Sequence, residues 1–143
     1  MRIFLVLLFM GVSASSLAQL RVQPPFYVGA WQSNEAKTLA SIAKADDVPE
    51  KSKKVFADNF YGKLVNVFTE NAFTTYFVDQ KPEHLNFVDA EIRVIGENQI
   101  LIRYFNQSRG QMVERELTFK DGCYTIPSLQ YHYDEYFCKV EGE

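Results

Sequence analysis

Cysteine is scarce in this chain: 143 residues hold only Cys123 and Cys138, and histidine is as rare, with His84 and His132. These four residues match no zinc-ligand spacing, so no metal site is expected. The absence of a Cys-x-x-Cys removes the common dithiol redox motif. There is no Gly-x-Ser-x-Gly, no His-Glu-x-x-His and no phosphate-cradling glycine loop, which excludes the familiar hydrolase, metalloprotease and nucleotide-binding signatures. Basic residues do not exceed acidic ones, and the formal charge of −3 argues against nucleic acid as a partner. Long apolar runs are missing too, apart from one at the very start.

That run, Ile3 to Met10, follows Met1-Arg2 and precedes Ser16-Leu17-Ala18. A short positive start, an apolar stretch and small residues at −3 and −1 of a cut before Gln19 have the layout of a secretory signal peptide, residues 1–18. The stretch is far shorter than the roughly 20 apolar residues a membrane span requires. The expectation is a periplasmic or secreted single domain over residues 19–143, with no membrane insertion after cleavage. Losing Arg2 takes the formal charge to −4.

The clearest pattern in the remaining chain runs from Val88 to Tyr104. Apolar residues fall on even positions, while Asp89, Glu91, Arg93 and Arg103 fall on odd ones. This is the period of a half-buried strand. With Ile95 and Gln99 flanking a turn of Gly96-Glu97-Asn98, Val94 opposes Ile100, Ile92 opposes Ile102 and Ala90 opposes Tyr104. One face of the hairpin is then continuously apolar and needs a cover.

Before this hairpin, Pro24-Pro25 ends an irregular lead-in and Phe26 to Trp31 reads as a short strand. Ser33 is a good N-cap for a helix whose Ala36, Leu39, Ala40 and Ala43 share a small-residue face. Asp46-Asp47-Val48-Pro49 opens a second helix, on which Val55, Phe56, Asn59 and Phe60 lie to one side. Its Lys51, Lys53 and Lys54 are interspersed with acidic neighbours, as on a solvated face. Leu64 to Phe68 and Ala72 to Val78 form a hairpin around Glu70-Asn71. After the central hairpin comes a polar loop, Asn106 to Gln111, with the sequon Asn106-Gln107-Ser108. Met112 to Phe119 then pairs with Cys123 to Pro127 across Asp121-Gly122, the strongest turn signal present. That two-residue turn sets Phe119 against Tyr124 and Leu117 against Ile126. A last strand spans Glu135 to Val140.

In an exported protein, Cys123 and Cys138 are expected to form a disulfide. Set opposite each other on neighbouring strands, they place Phe137 against Tyr124 and lie themselves on the outer, more polar face. Such a bridge stabilises by about 3 kcal/mol in the chain-entropy model.

One strand with Gly29-Ala30-Trp31, a helix pair and then a meander of antiparallel strands resembles the calycin superfamily, in particular its fatty-acid-binding-protein-like branch. The resemblance implies a mainly β fold: an antiparallel meander barrel of about eight strands, with a helix pair inserted after the first strand and lidding the open end. It departs from the family at the last strand, where Tyr131 to Phe137 lacks the Arg-x-Tyr that holds a ligand carboxylate. A second architecture fits the same pattern: an α+β fold with two helices across an open, curved sheet.

Aromatic residues are plentiful, with twelve Phe, eight Tyr and one Trp. Core packing accounts for most of them. In a hollow barrel, Tyr104, Phe119, Tyr124 and Phe137 are the expected ligand-binding wall, and Trp31 the plug of the base. His132 with Asp134 and Glu135 is the best catalytic candidate, but the cysteine register turns His132 and Asp134 outward, so no catalytic residue and no cofactor is assigned. Two functions follow. The first is a non-catalytic barrel binding a small apolar or amphipathic ligand. The second is an exported protein-binding module, an enzyme inhibitor or toxin-immunity protein, using the loops Asn106 to Gln111 and Pro127 to Tyr133 with Tyr131 and Tyr133 as contacts.

Overall fold

A computed structural model describes residues 23–58 and 60–141. The leader expected over residues 1–18 lies outside them. The order of elements is β1 (Gly29–Ser33), α1 (Glu35–Lys44), α2 (Glu50–Ala57), β2 (Leu64–Phe68), β3 (Ala72–Phe77), β4 (Val88–Gly96), β5 (Gln99–Asn106), β6 (Gln111–Lys120), β7 (Cys123–Pro127) and β8 (Asp134–Lys139). Each strand pairs antiparallel with the next, and β8 returns to β1, closing an eight-stranded barrel. Closure removes the free edges that an open sheet of this apolarity would expose. The open-sheet alternative is thereby excluded.

The central hairpin keeps the register of its alternation: Val94 faces Ile100, Ile92 faces Ile102 and Ala90 faces Tyr104. Its turn is tighter than expected. Gly96 pairs with Gln99, leaving Glu97-Asn98 as the turn, and Ile95 is extruded as a bulge. The extra residue is absorbed by the bulge rather than the loop, so the pairs below are unmoved. At the next turn both Asp121 and Gly122 have positive φ, 51° and 71°, the geometry of a two-residue hairpin turn.

The N-terminal strand starts later than its apolar run. Val28 N–H donates to Pro25 O at 2.9 Å, so Phe26 and Tyr27 belong to a turn that tucks beneath the barrel. Gly29 then redirects the chain into β1 at φ 131°, a value that L side chains resist. Under the barrel, Phe119 lies edge-on to Phe26 at 5.3 Å and to Trp31 at 4.9 Å between ring centroids. The indole Nε1–H of Trp31 donates to Tyr27 O at 2.9 Å, which leaves this buried donor satisfied. Lys139, opposite Trp31 across the β1–β8 ladder, sets its ammonium 5.4 Å from the indole ring. These residues plug the base.

Helix α1 is positioned by hydroxyls rather than by its alanines. Its N-cap is Asn34, whose Oδ1 accepts from Lys37 N, while Ser33 stays in the strand. Ala36, Ala40 and Ala43 are exposed; Thr38 and Ile42 are buried. The reason lies in β8. Pairing with β1 stops at Phe137, so the upper part of β8 has a free edge on that side. The helix occupies it: Asn34 N–H donates to Tyr136 O, Tyr136 N–H to Thr38 Oγ1 and Asp134 N–H to Ser41 Oγ, at 2.7, 3.0 and 3.0 Å. A buried amide without a partner costs about 1–3 kcal/mol, which outweighs the weak amphipathic preference of three alanines.

Helix α2 has no buried residue; Val55 and Phe60 are more than half exposed, and only Phe56 packs inward. A small second core beside the barrel joins Ile42, Ala45, Val48 and Tyr61, with Phe56, Tyr131 and Tyr133 against it.

Two joins in the barrel wall are short. Strands β3 and β4 share two residue pairs, as do β6 and β7, whereas β5 and β6 share eight. Phe119 meets Tyr124 as the turn predicts, but the ladder is not continued to Leu117 and Ile126. The wall therefore opens between β6 and β7 above that point.

Candidate functional site

Alternation along each strand decides what enters the barrel. Leu64, Asn66 and Phe68 from β2, Phe73 and Thr75 from β3, Ile102 and Tyr104 from β5, Arg115 and Leu117 from β6, Tyr124 and Ile126 from β7 and Glu135 and Phe137 from β8 surround one cavity of about 310 Å³. This volume falls at the lower end of the range for small-molecule pockets, about 300–1,000 Å³. A groove of about 580 Å³ adjoins it at the β6–β7 opening. The two hollows share Arg115, Leu117, Ile126 and Glu135, and the groove continues outward to Phe60, Leu129 and Tyr133.

Three of the four expected wall residues, Tyr104, Tyr124 and Phe137, line this cavity. Tyr124 and Phe137 stack at 5.2 Å with planes 10° apart, and Tyr104 lies edge-on to Phe73 at 4.7 Å. Phe119 does not line it. It sits one layer lower, in the aromatic plug, because the barrel narrows onto Phe26 and Trp31 there.

The polar lining is the part the aromatic pattern did not reveal. Thr75 Oγ1–H donates to Asn66 Oδ1 at 2.7 Å, and Asn66 Nδ2–H donates to Tyr124 Oη at 2.7 Å. The hydroxyl of Tyr124 accepts in this chain, which leaves its own proton unused by it. Burial pushes the Tyr124 phenol well above its ordinary range; the Asn66 hydrogen bond works the other way and the nearby Glu135 adds to the rise. Glu135 follows the same register as Phe137 and so projects inward. Its Oε1 accepts from Ser33 Oγ at 2.8 Å, and Ser33 Oγ accepts in turn from Gly62 N–H at 3.1 Å. Desolvation lifts the Glu135 carboxyl above its usual value, partly offset by the Ser33 hydroxyl. The signal for Glu135 was present in the sequence, two positions from Phe137, but His132 and Asp134 drew attention to the opposite face.

Those outward residues are where the register puts them. His132 is on the surface, with Nδ1 2.9 Å from Asp47 Oδ2 and its backbone N–H donating to the same carboxylate. Tyr131 and Tyr133 are half-buried against the second core; the Tyr133 and Tyr61 hydroxyls meet at 2.6 Å. Leu129, between them and Pro127, is 90 % exposed. In the other expected contact loop, Ser108 Oγ–H and Arg109 N–H both donate to Asn106 Oδ1.

Cys123 and Cys138 form the disulfide, directly opposite each other in the β7–β8 ladder. Their sulfurs lie on the outside of the barrel, where Lys37 Nζ of α1 reaches Cys123 Sγ at 3.2 Å. Among the described residues no helix is long and apolar enough to cross a membrane. Comparison with family models, with curated proteins and with solved structures returns no match.

Proposed function

We propose that this chain is an exported, non-catalytic barrel of the calycin kind that holds one small amphipathic molecule in its interior. The observation that carries the reading is the cavity of about 310 Å³, in which one wall is aromatic and aliphatic while Asn66, Thr75, Tyr124 and Glu135 converge as polar anchors. An apolar hollow with a few fixed polar groups is the ordinary form of a ligand site. Export accords with the disulfide, since such bonds persist outside reducing compartments, and with the leader-like first 18 residues. The helices do not fill the hollow: α1 is spent on the edge of β8, and α2 lies over the second core.

The test is titration with N-phenyl-1-naphthylamine, an uncharged apolar fluorophore. Fluorescence should rise and saturate at one site per chain, and Leu64→Trp, which adds bulk to the cavity wall, should suppress the rise while leaving the circular dichroism unchanged. Native mass spectrometry of protein from its own source should show a co-purifying mass. No fluorescence change and an always empty chain would count decisively against a carrier.

A protein-binding module is the second reading, and it has one specific support: Leu129 stands free at the tip of the Pro127 to Tyr133 loop, with Phe60 also largely exposed across the same groove. In that case Leu129→Asp abolishes partner capture and leaves fluorophore binding intact.

A further inference from the structure

The polar anchors differ in what they leave unsatisfied. Asn66 is occupied on both its oxygen and its nitrogen by Thr75 and Tyr124. Glu135 is the carboxylate that lines the cavity, and among the described residues its partner is the Ser33 hydroxyl alone, through one oxygen. Among the described residues no Lys or Arg nitrogen forms an ion pair with it. Arg115 borders the same space but is exposed, and no ion pair joins it to Glu135 among the described residues. A half-buried carboxylate held through one oxygen keeps its second oxygen available to a donor from a ligand. The rings of Tyr124, Phe137 and Tyr104 line the same cavity, and aromatic rings attract cations.

Resting on the carrier reading above, we infer that the cavity selects ligands with a cationic end, a small aryl-alkyl amine, whose ammonium donates to Glu135 while its ring lies among Phe68, Phe73 and Phe137. The ammonium supplies the hydrogen bonds and the charge that Ser33 cannot. A carboxylate ligand would bring a second negative charge to Glu135 and is disfavoured by the same geometry.

The groups facing Glu135 set how this varies with pH. They are Ser33 from β1, Tyr61 ahead of β2, Arg115 and the more outward Glu116 from β6, Tyr124 from β7 and Tyr133 ahead of β8. Burial pushes the Tyr61 and Tyr124 phenols upward, away from the mildly acidic range, and Glu116 belongs to the open groove. Amine affinity therefore follows ionisation of Glu135, falling as the solution is acidified, while affinity for an uncharged analogue stays level.

The experiment compares three probes of one shape by calorimetry: 2-phenylethylamine, 2-phenylethanol and 3-phenylpropionate. The amine should bind about tenfold or more tighter than the alcohol at pH 7, as expected for a charge-assisted hydrogen bond out of water. Glu135→Gln, which keeps an acceptor for Ser33, should erase that preference and its pH dependence while still binding the alcohol. Propionate binding tightest, or an amine preference that survives Glu135→Gln, overturns the inference and leaves the carrier reading intact. Silence from all three probes with a positive naphthylamine titration does the same, and silence from both sets overturns both.

Discussion

Glu135 is the residue at which packing and charge conflict most. Its folded carboxyl holds a proton more tightly than the unfolded chain does, because burial penalises the ionised form. Its contribution to stability is therefore complete below the ordinary carboxylate range and is lost as pH rises through the folded value. Glu135→Gln should raise the urea midpoint at pH 7 and leave it nearly unchanged at pH 4. A midpoint that falls at pH 7 would mean the ionised group is held by something other than Ser33. At the base, Trp31 is 3 % exposed and touches Tyr27, Phe119 and Tyr124. Trp31→Ala should cost about 3–5 kcal/mol by chemical denaturation, as for large aromatic deletions generally. The roles of these two residues were unequally visible in the sequence. A lone Trp beside Gly29 announces a plug. A glutamate in a segment of tyrosines and acids announces a surface, and only the disulfide register, carried three residues back along β8 from Cys138, shows that it points inward.

At the scale of elements, hairpins were the most legible part of the chain, because alternation and turn chemistry are both local. The pairs Ala90–Tyr104, Ile92–Ile102, Phe119–Tyr124 and Cys123–Cys138 all follow from counting outward from a turn or a bridge. The helices were less legible because their burial is decided by a distant strand. The i, i+3, i+4 pattern of alanines marked a helix correctly but pointed to the wrong face. Thr38 and Ser41, ordinarily weak helix formers, are there to accept the amides of Tyr136 and Asp134. Thr38→Val preserves volume and removes only the acceptor. It should destabilise the fold by about 1–3 kcal/mol, the cost of stranding a buried amide, and hydrogen exchange should show the Tyr136 amide losing protection. Thr38→Ser should restore most of it; failure to do so would assign the effect to packing.

For the molecule as a whole, the disulfide ties β7 to β8 on the outer surface, away from the cavity. Replacing both cysteines by serine should lower stability by about 3 kcal/mol in the chain-entropy model, and the surviving folded barrel should bind the naphthylamine probe with unchanged affinity. Weaker binding would place the bridge in the site's support. Barrel closure itself was the least legible property, since nothing in a local pattern says whether the last strand finds the first. The two short joins, β3 to β4 and β6 to β7, divide that closed wall unequally. Strands β4 to β6 form a three-stranded leaf, stitched to a five-stranded trough by two pairs along each margin. A leaf held this lightly can swing outward as a unit while α1 stays fastened to β8. Its amides should exchange together, ahead of those in the β7–β8–β1–β2–β3 trough, as a separate cooperative unit. A guest would then pass through the flank of the molecule, and α1 would never need to leave the edge of β8.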